Sequence, residues 1–140
     1  MLVSPFGMIK KINHIGIAVE NLRESIALYS SLFGKGPDHE EEVVSEKVMT
    51  AFFGAGESNI ELLQATSPDS PIAKFIEKRG KGGIHHVALE VDDLEEKLRQ
   101  LKAAGITLID EAPKAGAHGM KVAFVHPKGM QGVLIELVQK

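Results

Sequence analysis

Hydrophobic positions along this chain follow two alternating periods, and the alternation happens twice. Residues 14–19 and 86–91 are short apolar runs whose length and β-branched content suit strands. A helical period follows each run at once. Leu22, Ile26 and Tyr29, then Leu94, Leu98 and Leu101, keep apolar spacings of four and three. Asn21 with Glu24 and Asp93 with Glu96 have capping-box spacing at the helix starts, and Gly34 and Gly105 stand where left-handed caps would end them. Further strands are expected at 41–44, 48–53 and 60–65, then at 107–110, 121–125 and 133–138. Each half therefore reads βαβββ, an α+β pattern of mixed strands.

The two halves are copies. Shifting the sequence by 72 positions lays residues 12–26 over 84–98 without a gap, with Ile, His, Val, Leu and Glu recurring at matched places. The same shift carries Ala51 and Phe52 onto Ala123 and Phe124, and Leu62 and Leu63 onto Leu134 and Ile135. The expected organisation is one domain over 1–140, with module one at about 9–66, a linker at about 67–83 and module two at about 84–140. Pro- and Gly-rich stretches at 67–71 and 80–83 bracket a short linker helix at 72–79. Residues 1–7 read as a leader ahead of a second good start at Met8.

Composition narrows the function. The 140 residues are 44% hydrophobic and 25% charged, as in globular domains. A chain of this length buries a core without a structural metal, so any metal is expected to be functional. The net charge of -3 implies neither nucleic acid nor an anionic membrane surface as partner. Zero Cys excludes disulfides, thiolate zinc sites and a cysteine nucleophile. No apolar run approaches a membrane span and no secretion signal opens the chain, so the expected location is the cytoplasm.

The shift also pairs residues that carry chemistry: His14 with His86, and Gln64 with Glu136. A lone histidine near the start of a strand is ordinarily a satisfied core or edge residue; recurrence at both first strands is what points to ligation. Gln64 and Glu136 each follow an apolar run, where a polar side chain is costly to bury without a partner. If first and last strands share a curved sheet, the four side chains converge on a divalent ion. Two imidazoles, a carboxylate and an amide oxygen suit Co, Zn, Mn, Ni or Fe(II). His85 alternates to the other face of its strand, and His39 and His126 fall near turns.

These segments, with 121–128 and 132–137, resemble the vicinal oxygen chelate superfamily, and within it the chain is similar to the methylmalonyl-CoA epimerases from Lys10 to Gln139. The resemblance implies paired βαβββ modules forming curved mixed sheets around a metal held by His14, Gln64, His86 and Glu136. It implies a divalent ion, most often Co2+ with Zn2+, Mn2+ or Ni2+ as alternatives, and a homodimer. The implied activity is metal-assisted epimerisation of methylmalonyl-CoA at C2 through an enolate, as in propionate metabolism. Glu46 and Glu136 are the implied acid/base pair, with Glu41 and Glu42 as neighbouring alternatives to Glu46. The shift of 72 places Glu46 over His118, a second candidate for the acid/base role, in a glycine-rich loop suited to closing over a thioester. Lys81, Lys114, Lys121 and Lys128 are cations available to CoA phosphates. Rival readings are a glyoxalase I-like lyase, an extradiol dioxygenase with two histidines and one carboxylate on iron, and a metal-free small-molecule-binding module.

Overall fold

The computed structural model describes residues 8–140, and the leader read over 1–7 lies outside them. The elements run β1 (Ile9–Ala18), α1 (Leu22–Phe33), β2 (His39–Val43), β3 (Val48–Ala55), β4 (Ser58–Ala65), α2 (Pro71–Arg79), β5 (Gly83–Val91), α3 (Leu94–Ala103), β6 (Lys114–Ala115), β7 (Lys121–Val125) and β8 (Ile135–Gln139). The βαβββ order appears twice with α2 between the copies, as the α+β reading requires.

Local chemistry sets the helix ends. Asn21 and Asp93 accept hydrogen bonds from the Glu24 and Glu96 N–H groups at 3.0 and 3.1 Å, which starts α1 and α3. Gly34 closes α1 with φ of 72°, whereas α3 ends on Ala104 in the right-handed region and Gly105 takes the left-handed turn one residue later. Ser70 caps α2 through the Ile72 N–H at 3.2 Å, with Pro71 at the first helical position, where its missing N–H is not needed.

The chain forms two compact units, His14–His85 and His86–Lys140, the latter joined by the first half of β1 up to Asn13. In the first unit the strand order is β2-β3-β4-β1, antiparallel except for the parallel β1–β4 pair. Its core is Val19, Leu22, Ala51, Phe53 and Leu62, with Ile26, Tyr29 and Phe33 of α1 packed against it. The Phe33 and Phe53 rings stack at 5.1 Å. In the second unit the order is β5-β8-β7-β6, again with its parallel pair, β5–β8, joining first and last strands. Val91, Leu94, Leu98, Ala123, Val125 and Leu137 form its core. The first half of β1 is tied into this unit by Asn13, whose amide donates to the buried Glu90 carboxylate at 3.1 Å.

One strand departs from expectation. Residues 107–110 make a single bridge, Leu108 to Val125, and the regular strand β6 comes later, at Lys114–Ala115. Asp110 explains the interruption: its carboxylate accepts the Phe124 N–H at 2.8 Å, replacing a ladder carbonyl. Pro113, with no N–H to donate, then separates this stretch from β6.

Candidate metal centre

In the first unit, parallel pairing sets Gly16 beside Glu61, and the His14 imidazole and Glu61 carboxylate face one another with Nε2 to Oε1 at 3.4 Å. Both side chains are buried, at 3% and 6% exposure. Phe52 pairs with Glu61 across β3–β4 and sets its ring edge-on to His14 at 6.3 Å. Gln64, expected as the ligand from this strand, is engaged elsewhere. Its amide oxygen accepts the Leu22 N–H at 2.5 Å, at the start of α1.

The second unit repeats the construction. Ala88 lies beside Glu136, His86 Nε2 is 3.1 Å from Glu136 Oε1, and both are buried. Phe124 pairs with Glu136 and meets His86 edge-on at 5.8 Å. Gln139 accepts the Leu94 N–H at 2.7 Å. Structural equivalence thus runs at 72 positions for Gly16 with Ala88, Phe52 with Phe124 and Leu22 with Leu94, but at 75 for Glu61 with Glu136 and Gln64 with Gln139. The cause is a longer connection: residues 54–59 separate Phe53 from Ile60, while 126–134 separate Val125 from Ile135, three residues more. Glu61 is therefore the counterpart of Glu136. The signal was available, since Ile60-Glu61-Leu62-Leu63-Gln64 and Ile135-Glu136-Leu137-Val138-Gln139 are one pattern, hidden by an ungapped shift.

Each pair fits a divalent ion. Ligand bonds of roughly 2.0–2.2 Å place two donors roughly 2.9 Å apart at a right angle and 3.4 Å apart at a tetrahedral one. The two N···O separations, 3.1 and 3.4 Å, lie in that range. Buried carboxylates need positive charge, and imidazole nitrogen with carboxylate oxygen is a borderline set suited to transition metals.

The other expected residues divide between the units. Glu46 ends a 3-10 turn, Val44–Glu46, half-buried, with its carbonyl accepting from Ser70 Oγ at 3.4 Å. Glu41 pairs with His39 at 2.9 Å, and Glu42 is exposed. His118 lies in the 3-10 turn Ala117–Gly119 with φ of 58°, a left-handed conformation few non-glycine residues adopt. Like the Glu46 turn, this turn comes directly ahead of the third strand of its module. His85 packs edge-on against Phe75 of α2 at 4.9 Å, and His126 caps a short turn by accepting the Lys128 N–H at 3.0 Å. Lys114 pairs with Asp110 at 3.3 Å and lies 5.2 Å from the Phe124 ring centre. Lys81, Lys121 and Lys128 are exposed. Away from the pairs, Lys47 holds the Asp69 carboxyl down to about 2 by hydrogen bonding, helped by Ser67.

Comparison with known proteins points to one family. The model of the Glyoxalase/Bleomycin resistance protein/Dioxygenase superfamily matches residues 13–124. A mitochondrial methylmalonyl-CoA epimerase of Dictyostelium discoideum is 46% identical over 94% of this chain and 80% of its own length. Among solved structures, methylmalonyl-CoA epimerase from Mycobacterium tuberculosis superposes with a TM-score of 0.90 at 34% identity, covering 99% of this chain and 92% of that one. A methylmalonyl-CoA epimerase in complex with methylmalonyl-CoA and NH4+ superposes at 0.88 with 29% identity, covering 95% of this chain and 96% of that one.

Proposed function

The chain belongs to the glyoxalase/bleomycin resistance protein/dioxygenase superfamily, and from that premise we propose that it is a methylmalonyl-CoA epimerase, interconverting the (R) and (S) forms by proton transfer at C2. The observation that carries this reading is the duplicated buried histidine–carboxylate pair in a chain 46% identical to such an epimerase.

The chemistry asks for two things. The C2 proton beside a thioester is weakly acidic, so negative charge developing on the carbonyl oxygen must be stabilised, and acid/base groups must serve both faces of the planar intermediate. His14, Glu61, His86 and Glu136 are the proposed metal ligands, with Glu61 in the place first expected of Gln64. A divalent ion bound there supplies Lewis-acid stabilisation of that charge. Two carboxylates balance a divalent charge, so the site carries no net buried charge. Glu136 is the proposed acid/base on one face, doubling as ligand, and Glu46 on the other, with His118 as its rival.

Three finer assignments rest on the resemblance to epimerases, namely Co2+ as the ion, a homodimer as the working form and a place in propionate metabolism, while a single domain and a cytoplasmic location are proposed from the sequence alone. Among the described residues no helix is long and apolar enough to cross a membrane.

Proton NMR of racemic methylmalonyl-CoA in heavy water tests the activity. Metal-loaded protein is expected to exchange the C2 proton faster than chelator-stripped protein, with Glu46→Ala and His118→Ala apportioning the second face. No exchange above background with metal demonstrably bound would sink the assignment, and turnover of a hemithioacetal instead would make the protein a glyoxalase I-like lyase.

A further inference from the structure

The geometry assigns a role to the two glutamines that hold no ligand position: Gln64 and Gln139 are positioning residues, each a latch that fixes the register of a parallel strand pair and so aims a carboxylate at its histidine. This rests on the metal reading above.

Antiparallel strands joined by a tight turn take their register from the turn, as β3 and β4 do where Ala55 pairs with Ser58. The parallel pairs have no such guide. β1 reaches β4 only through α1, β2 and β3, and β5 reaches β8 only through α3, β6 and β7. A slip of one residue would turn Glu61 or Glu136 to the opposite face of its strand, away from the imidazole.

Both units place the same glutamine contact at the start of the helix. In the first, the Val19 N–H donates to the Leu63 carbonyl at 2.9 Å and the Leu22 N–H to Gln64 Oε1 at 2.5 Å, so neighbouring β4 residues grip the turn between β1 and α1. In the second, the Leu94 N–H donates to Gln139 Oε1 at 2.7 Å. The first N–H groups of a helix have no partner within it. Asn21 and Asp93 satisfy the third, through Glu24 and Glu96, and the glutamines satisfy the first. Leu22 and Leu94 are buried and these bonds are part-buried, so water replaces the lost acceptor only incompletely. Alternation puts the glutamine on the face of its strand opposite the carboxylate three residues earlier, so gripping one face orients the other. The three residues added ahead of β8 displaced Glu136 and Gln139 together, keeping ligand and latch at fixed spacing.

The test uses the whole metal-free chain and its Gln64→Leu, Gln139→Leu, Gln64→Glu and Gln139→Glu variants, with Gln→Asn, one methylene too short, where a leucine variant does not fold. Amide hydrogen exchange in the leucine variants is expected to quicken about tenfold along β1–β4 or β5–β8, with the β2–β3 ladder within about twofold of wild type. Affinity for Co2+, read by competition with a chromophoric chelator, is expected to fall about tenfold. The glutamate variants, which still offer an acceptor to a helix N-terminus, should stay close to wild type in both. Uniform acceleration, or acceleration confined to Leu22 or Leu94 with Co2+ affinity unchanged, would overturn the proposal and leave the glutamines as ordinary caps. Wild-type protein that binds no Co2+ while the strand-pair pattern holds would sink the metal reading and keep the latch.

Discussion

A buried carboxylate needs a polar partner, and Glu61 has the buried His14 imidazole 3.4 Å away. That makes Glu61 the residue whose loss should separate metal binding from fold. Glu61→Ala is expected to weaken Co2+ by more than about 100-fold, beyond the range seen on losing residues that merely support ligands, while Gln64→Glu retains binding. Isothermal titration with Co2+ decides, and unchanged affinity in Glu61→Ala would remove it from the ligand set. The two paired histidines were legible in the sequence because β1 and β5 align without a gap; the carboxylate facing His14 was not, because the connection before β8 is three residues longer and an ungapped shift sets Gln64, not Glu61, over Glu136. Asp69 has its folded-state pKa depressed to about 2 by Lys47, so the pair contributes stability above the ordinary value of 3.8 and loses it as pH falls through about 2. NMR titration of the Asp69 carboxyl should show that low midpoint, moving up towards 3.8 in Lys47→Met; a midpoint that ignores the substitution would contradict the cause.

At the scale of elements, period and caps gave the helices, and hydrogen-bond competition decided where sequence pattern misled. The Asn21 and Asp93 caps act at the same bond in both modules, so Asn21→Ala and Asp93→Ala should each cost about 1 kcal/mol, measured by urea unfolding. Equal costs would mean that the duplication extends to energetics. Strand β6 was misplaced because residues 107–110 keep only an irregular ladder, in which the Ile109 and Asp110 N–H groups both donate to the Phe124 carbonyl and the Phe124 N–H goes to the Asp110 side chain, which no periodicity reveals. β1 and β5 proved longer than their apolar runs, since backbone pairing extends into polar residues such as Lys10 and Lys11. Within the first unit's core, Leu62 is fully buried between strand and helix. Leu62→Ala should therefore cost about 2–5 kcal/mol in the same assay, and a loss below 1 kcal/mol would mean the core closes over the cavity.

For the whole molecule, the repeat was the most legible feature, because a pattern copied twice is tested twice; what it concealed is that the compact units do not coincide with the copies. β1 changes unit between Asn13 and His14, and β5 between His85 and His86, so the histidine of each pair is the first residue its strand contributes to that unit. Neither pair alone offers more than one nitrogen and one carboxylate, too few for tight binding of a divalent ion. The proposed four-ligand site therefore has a consequence in counting. One ion per chain is expected at saturation, and Glu61→Ala and Glu136→Ala should each weaken the same event, measured by titration and by elemental analysis of the washed protein. The bound ion should also raise the melting temperature as its concentration increases, since about 100 Kd of free ion adds about 2.7 kcal/mol to the folded state. Two ions per chain, each lost in only one variant, would mean that the histidine–carboxylate pairs act separately and that the proposed shared site is wrong.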